Sequence, residues 1–163
     1  MRTGALLPYE RALLSAEPLS LQTVDGRRLG LDIARWLAPV DAADETVLAR
    51  CVGPTLDVGC GPGRFVRALG VRGVPSLGVD IASTAVAMNV LRGDAALLRS
   101  VFARVPGEGR WPVVLVMDGN IGIGGDPRRL LARLADVAGA DGRVLVEADP
   151  DRSCDECVEV RFL

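Results

Sequence analysis

The sequence predicts an α/β fold: an open, mostly parallel sheet with helices on both faces. Three observations carry that prediction. From residue 55 onward, short apolar runs alternate with helix-length segments, the punctuation of βαβ units. Glycines cluster directly after the first apolar run, at Gly59, Gly61 and Gly63, where a strand must turn sharply into a helix. Aromatic residues are 4% of the chain and apolar residues 49%, so the core is aliphatic, as in strands buried between helices.

Each element follows from local signals. The first fifty residues read as helix-like fragments broken by Pro8, Pro18, Gly26, Gly30 and Pro39. Within them, 31–37 and 44–51 are the better helices, the second opened by an acidic first turn. Residues 1–52 are therefore expected as an N-terminal helical extension, and 53–163 as the sheet domain. Strands are expected at 55–59 (TLDVG), 75–80 (PSLGVD), 95–99 (AALLR), 113–118 (VVLVMD) and 143–148 (RVLVEA). Helices are expected at 63–69, 83–91 and 127–138. Pro127 suits a first helical turn, with Asp126 as N-cap, and Gly139 and Gly142 bracket the turn into the next strand. Residues 158–162 alternate like a half-exposed strand.

Composition excludes several chemistries. The chain has 163 residues, a length that suits one domain. All 19 basic residues are Arg, and there is no His. Without His there is no His-containing zinc site, no Ser-His or Cys-His dyad and no imidazole base. Without Lys there is no Walker A lysine and no Schiff base with a pyridoxal cofactor. A net charge of −2 gives no general attraction to nucleic acid or to an anionic membrane. No run approaches the ~18–20 apolar residues of a membrane span, and the charged start is too interrupted for a signal segment. A cytoplasmic location is the expectation. Cys154 and Cys157 form a C-x-x-C. They are open to three readings: half a zinc site completed by Cys51 and Cys60, a redox pair, or two thiols in a loop. With no second C-x-x-C and no His, no metal is expected.

The segment 55–65, TLDVGCGPGRF, is the most informative. A dinucleotide loop needs G-x-G-x-x-G, but counting from Gly59 puts Arg64 at the third glycine, and counting from Gly61 puts Val66 there. Asp57, just before the glycines, suits an ammonium-bearing ligand better than a diphosphate. The stretch DVGCGPG resembles motif I of the class I S-adenosylmethionine (SAM) dependent methyltransferases, which have a Rossmann-like sheet. The resemblance extends to Gly78-Val-Asp-Ile81 and, through DGNIGIGGDP at 118–127, to actinobacterial methyltransferase-like proteins. It covers roughly residues 30–150.

The resemblance implies a cofactor site built from Asp57, Gly59, Cys60, Gly61 and Gly63, with Asp80 and Ile81 at the ribose and Asp118 near the donor sulfur. A carboxylate at Asp80 suits two ribose hydroxyls because it can accept both protons. Gly93-Asp94-Ala95 precedes its strand, so Ser100 and Val101 are expected beside the adenine instead. Asp118 and Asn120 are the candidate catalytic residues, orienting the substrate or accepting a proton; Asp118 is equally open to capping its glycine-rich loop.

The implied function is methyl transfer from SAM to a small-molecule acceptor, leaving S-adenosylhomocysteine (SAH). The alternative is a catalytically silent SAM-binding module or a truncated, inactive fragment. If a base is needed, Asp118, Glu147 or Asp149 must serve; otherwise the acceptor is already reactive. The family usually has seven strands, and six are countable here, so the last strand and its helix are expected to be missing. That leaves an edge from which a homodimer through 157–163 is expected. Tyr9 and Trp36 are open to two readings, lining the site or ordinary packing.

Overall fold

The structure, a computed structural model, describes residues 6–148 and 160–163. Helix α1 (Leu7–Ser15) starts with Pro8 in its first turn, where the missing N–H is not needed. The next residues correct an expectation. Rather than helix fragments, 19–31 form a hairpin of β1 (Leu19–Thr23) and β2 (Arg28–Leu31), paired from Leu19↔Leu31 to Gln22↔Arg28. Asp25-Gly26 supplies the reversal: the Gly26 N–H donates to the Thr23 carbonyl and the Thr23 N–H to the Arg27 carbonyl, both at 3.0 Å. Two short helices follow, α2 (Ile33–Leu37) and α3 (Ala42–Leu48). Asp41 and Asp44 form a reciprocal capping box at the start of α3, so that helix begins earlier than its acidic turn suggested.

Chain order then alternates: β3 (Thr55–Val58), α4 (Arg64–Val71), β4 (Ser76–Asp80), α5 (Ser83–Leu91), β5 (Ala96–Leu98), β6 (Trp111–Val116), α6 (Pro127–Val137) and β7 (Ala138–Val146). The five strands form one parallel sheet in the order β5-β4-β3-β6-β7. β3 sits at the centre and is buried at every position. Alternation along β6 shows why both faces need cover. Val113 and Leu115 pack with Phe65 and Leu69 of α4, whereas Val114 and Val116 pack with Leu130, Leu134 and Val137 of α6. Asp126 caps α6 through the N–H groups of Arg128 and Arg129, as its place before Pro127 suggested. Gly139 and Gly142 fall where β7 shifts register against β6, between the pairs Trp111↔Ala138 and Val113↔Arg143.

The strand expected at 158–162 is described as β8 (Val160–Phe162), and it does not extend the main sheet. It pairs antiparallel with β1, Leu21 opposite Phe162, and completes a three-stranded sheet with the hairpin. Phe162 also packs with the cluster formed by Leu13, Leu19, Ile33 and Ala85. The chain itself therefore supplies a partner for this strand. Among the described residues no helix is long and apolar enough to cross a membrane.

The sheet order places a functional crevice. From β3 the chain steps outward to β4 and β5, then returns to the other side of β3 for β6. The loops after β3 and β6 thus leave the sheet in opposite directions, and a cleft opens between them at the carboxyl ends.

Candidate functional site

A cavity of about 520 Å³ lies in that cleft, lined by the residues that follow β3, β4, β5 and β6. Of the residues singled out from sequence, Asp57, Gly59, Cys60, Gly61, Asp80, Ile81, Ser100, Val101, Asp118 and Asn120 all line it. Gly63 does not. It is the N-cap of α4 at φ +89°, and a Cβ there would fall 1.7 Å from Asn89 Oδ1. Its hydrogen lets the loop close onto buried Asn89, whose Nδ2 donates to the Gly61 carbonyl at 2.9 Å and the Ala85 carbonyl at 2.8 Å.

Asp57, at the carboxyl end of β3, is 3% exposed. No hydrogen-bond donor among the described residues reaches its carboxyl group. Burial, then the charges of Asp118 and Asp80, push its pKa up to about 8. It is a carboxyl group without a counterion, facing a cavity. Asp80 ends β4 and accepts from the Gly61 N–H and the Ala82 N–H, each at 2.8 Å. Burial raises its pKa against the pull of those bonds. Asp80 therefore shapes the glycine loop while each oxygen keeps a lone pair for a ligand. Burial likewise pushes the Cys60 thiol up, which makes it an inert wall.

The residues expected to be catalytic are held in an ionic and amide network. Arg64, the first residue of α4, has a side chain only 3% exposed. Its Nη2 donates to both Asp118 oxygens, at 2.7 and 2.8 Å, and its Nη1 donates to buried Asp44. Arg35 of α2 reaches Asp44 Oδ1 at 3.1 Å and lies 3.8 Å from Asp118 Oδ1. Asp118 sits at φ +55°, and its backbone N–H donates to the Glu147 carboxylate. Asn120 Nδ2 donates to the Gly59 carbonyl at 2.8 Å, tying the loop after β6 to the loop after β3. Both side chains line the cavity, yet both are engaged by the protein.

The far end of the cavity follows β5, at Ser100, Val101 and Phe102. The Arg129 guanidinium lies 4.6 Å over the Phe102 ring. Gly124, at φ +85°, sits against that ring; a Cβ would come within 2.7 Å of it. This close approach accounts for part of the glycine-rich run at 119–125.

The N-terminal elements form the roof. Tyr9 and Trp36 line the cavity and also pack edge-to-face, with centroids 6.0 Å apart, so both readings of them hold. Glu10 fixes α1 in place: its Oε1 accepts from Ser83 Oγ at 2.8 Å and from the Thr84 N–H at 3.0 Å. It caps α5, whose own N-cap residue, Ala82, has no side-chain oxygen to offer.

Sequence reasoning missed Arg64, Phe65, Phe102 and Met117 as lining residues. Arg64 had a signal, its place directly after the glycine loop; its partner Asp44, in a different helix, had none. Among the described residues no group of three or more His, Cys, Asp or Glu side chains could hold a metal ion. Cys51 and Cys60 are buried free thiols. Cys154, Cys157 and Asp149 lie outside the described residues.

With this geometry in hand, the chain resembles solved methyltransferases. One is a SAM-dependent methyltransferase from Bacteroides fragilis in complex with SAH. The match has a TM-score of 0.73 and 20% identity, covering 84% of this chain and 62% of that one. A TehB-like SAM-dependent methyltransferase from Corynebacterium glutamicum matches with a TM-score of 0.57 and 20% identity, covering 69% of this chain and 65% of that one. The chain thus spans less than two thirds of each. No family model and no curated protein matches the sequence. At these identities the likeness is one of fold.

Proposed function

From a chain with the Rossmann-like fold of SAM-dependent methyltransferases, we propose an enzyme that binds SAM and transfers its methyl group to a small-molecule acceptor, leaving SAH. The observation that carries this is the pairing of Asp57 and Asp80 around the glycine loop, at the switch point of a parallel sheet. SAM carries an ammonium group, two ribose hydroxyls and an adenine, and the cavity offers a partner for each. Asp57, buried without a counterion, takes the ammonium. Asp80 takes the hydroxyls. Ser100 and Val101 flank the adenine, with Phe102 as a further apolar surface. Gly59 and Gly61 present backbone to the amino-acid portion, and Cys60 and Ile81 complete the wall.

SAM supplies an electrophilic methyl group on a sulfonium; this chain supplies position. Asp118 and Asn120 act by holding the floor beside the reacting atoms: Asp118 anchors Arg64, and Asn120 joins the two loops that must stay in register. Tyr9, on the helix that Glu10 anchors, and Trp36, packed against it, cover the cleft and limit water there. Alignment of the two reacting atoms is the main contribution such a site can make.

A second reading, a SAM-binding module without activity, is favoured by one observation: Asp118 and Asn120 are both occupied with protein contacts. Labelled SAM separates the two. Transfer of label to a small-molecule fraction supports the enzyme. Stabilisation by SAM and SAH without any transfer supports the module. Stabilisation by NAD and not by SAM would overturn both.

A further inference from the structure

A second groove, of about 290 Å³, lies on the crossover between β5 and β6. Its charged lining residues are Arg99, Arg104, Arg110 and Glu108. Arg99 also lines the large cavity, so the groove lies at that cavity's rim. The four charges are not balanced. Arg133 of α6 holds both Glu108 oxygens, with Nη1 at 2.6 Å from Oε1 and Nη2 at 2.8 Å from Oε2. That guanidinium, and then the Val105 N–H, hold the Glu108 carboxyl down to about 2, so it stays ionised and paired. Arg99 Nη1 donates to the Arg104 carbonyl at 3.1 Å. Among the described residues, no carboxylate forms an ion pair with Arg99, Arg104 or Arg110. Three guanidiniums thus share one groove with a carboxylate already bound to Arg133.

The loop that presents them is tied down at several points. Arg133 also donates to the Val101 and Ala103 carbonyls, both at 2.9 Å. Trp111 Nε1 donates to the Pro106 carbonyl at 2.8 Å, and the Gly109 N–H to the Val137 carbonyl at 2.9 Å. Gly107 turns at φ +72°, where a Cβ would press on the Trp111 indole, 3.2 Å from Nε1. These contacts set the loop backbone before any ligand arrives, which lowers the ordering cost of binding.

We propose that this groove binds the phosphate of a small-molecule phosphomonoester. A guanidinium is a planar fork of donors that matches phosphate oxygens in pairs. A monoester offers three terminal oxygens and about 1.5–2 negative charges at neutral pH. A diester offers fewer of both. The guanidiniums repel one another, and a dianion among them relieves that repulsion. They share one groove instead of following a stripe, and the chain's net charge is −2, which suits a small ligand over a nucleic-acid backbone. The inference does not depend on the methyltransferase reading.

The test titrates the full chain, at physiological salt, with methyl phosphate, dimethyl phosphate, malonate and a single-stranded oligonucleotide, followed by amide NMR. Methyl phosphate should shift the amides of 104–110 saturably in the millimolar range. Arg104→Ala and Arg110→Ala should each weaken it about tenfold. Both change exposed side chains with no hydrogen-bond or ion-pair partner among the described residues, so both should fold as the parent does. Arg28→Ala, an equal loss of charge on β2, should leave the affinity within about twofold. Dimethyl phosphate and malonate should bind about tenfold more weakly than methyl phosphate. No saturable shift at 104–110 overturns the proposal. Equal weakening by Arg28→Ala also overturns it, because overall charge would then be the cause. Equal affinity for dimethyl phosphate or malonate removes the phosphomonoester assignment. Tighter binding of the oligonucleotide puts a nucleic-acid backbone in the groove and overturns the small-molecule proposal.

Discussion

Asp57 is the residue whose state the proposed ligand should change most. Folding raises its pKa from the ordinary 3.8 to about 8, so the folded state disfavours the ionised form. The sign follows: with the folded value above the unfolded one, the unfolded chain ionises first as pH rises. The ligand-free protein therefore loses stability between pH ~4 and ~8 through this group. Binding of an ammonium reverses the preference. At pH 7, SAM binding should release close to one proton, about 0.9 for a group titrating near 8. Calorimetry in two buffers of different ionisation enthalpy measures that release; equal observed enthalpies would rule it out, and Asp57→Asn should abolish it. Asp80 differs because its oxygens already hold Gly61 and Ala82. Asp80→Ala removes the proposed ribose acceptor and the anchor of the loop together. SAM affinity should fall by about tenfold or more, since hydrogen bonds to charged groups contribute ~1.5–3 kcal/mol. Unchanged affinity by calorimetry would sink the ribose assignment.

Among the elements, α1 has a role that its own sequence does not announce. It packs Ala12 and Leu13 against Ala85 of α5 and its N-cap residue Ala82, and its Glu10 completes the α5 N-terminus. The Thr84 N–H and then the Ser83 hydroxyl hold the Glu10 carboxylate below its usual range. Because the folded pKa is lowered, this contribution is present above the unfolded value and lost as pH falls through the folded one. Glu10→Ala should speed amide exchange in α1 about two- to tenfold at pH 7. The difference from the parent chain should vanish in acid, and a difference that persists there would place the effect in packing instead. The hairpin shows another kind of miss. Asp25-Gly26 between LSLQ and RLGL is a hairpin signal that the helix-like reading of its flanks does not use. Packing of Leu19 beside Ile33 and Ala85 decides the outcome in favour of strands.

At the scale of the molecule, the proposed SAM binding should couple to folding. SAM or SAH at about 100 times its dissociation constant should stabilise the chain by about 2.7 kcal/mol, a shift of several degrees at this size. NAD should give none, because the glycine spacing offers no diphosphate cradle. The same shift read for both ligands would remove the basis for choosing between them.

The sequence alone determined the βαβ alternation, the strand that carries Asp57, the glycine loop and the acidic end of β4. These signals are local: a strand, a turn and a helix start lie within about a dozen residues, where backbone chemistry dominates. Most of the expected site followed from them, because the carboxyl ends of parallel strands meet wherever the sheet forms. Only the tertiary structure decided what Asp118 does. Arg64 stands 20 positions from Asp44 and 54 from Asp118, and nothing in the chain between them announces the three-way pairing. The same holds for Tyr9 above Gly61, and for β8 beside β1 rather than at the edge of the main sheet. Such contacts depend on packing between distant segments, which decides whether a carboxylate faces a substrate free or already bound to an arginine.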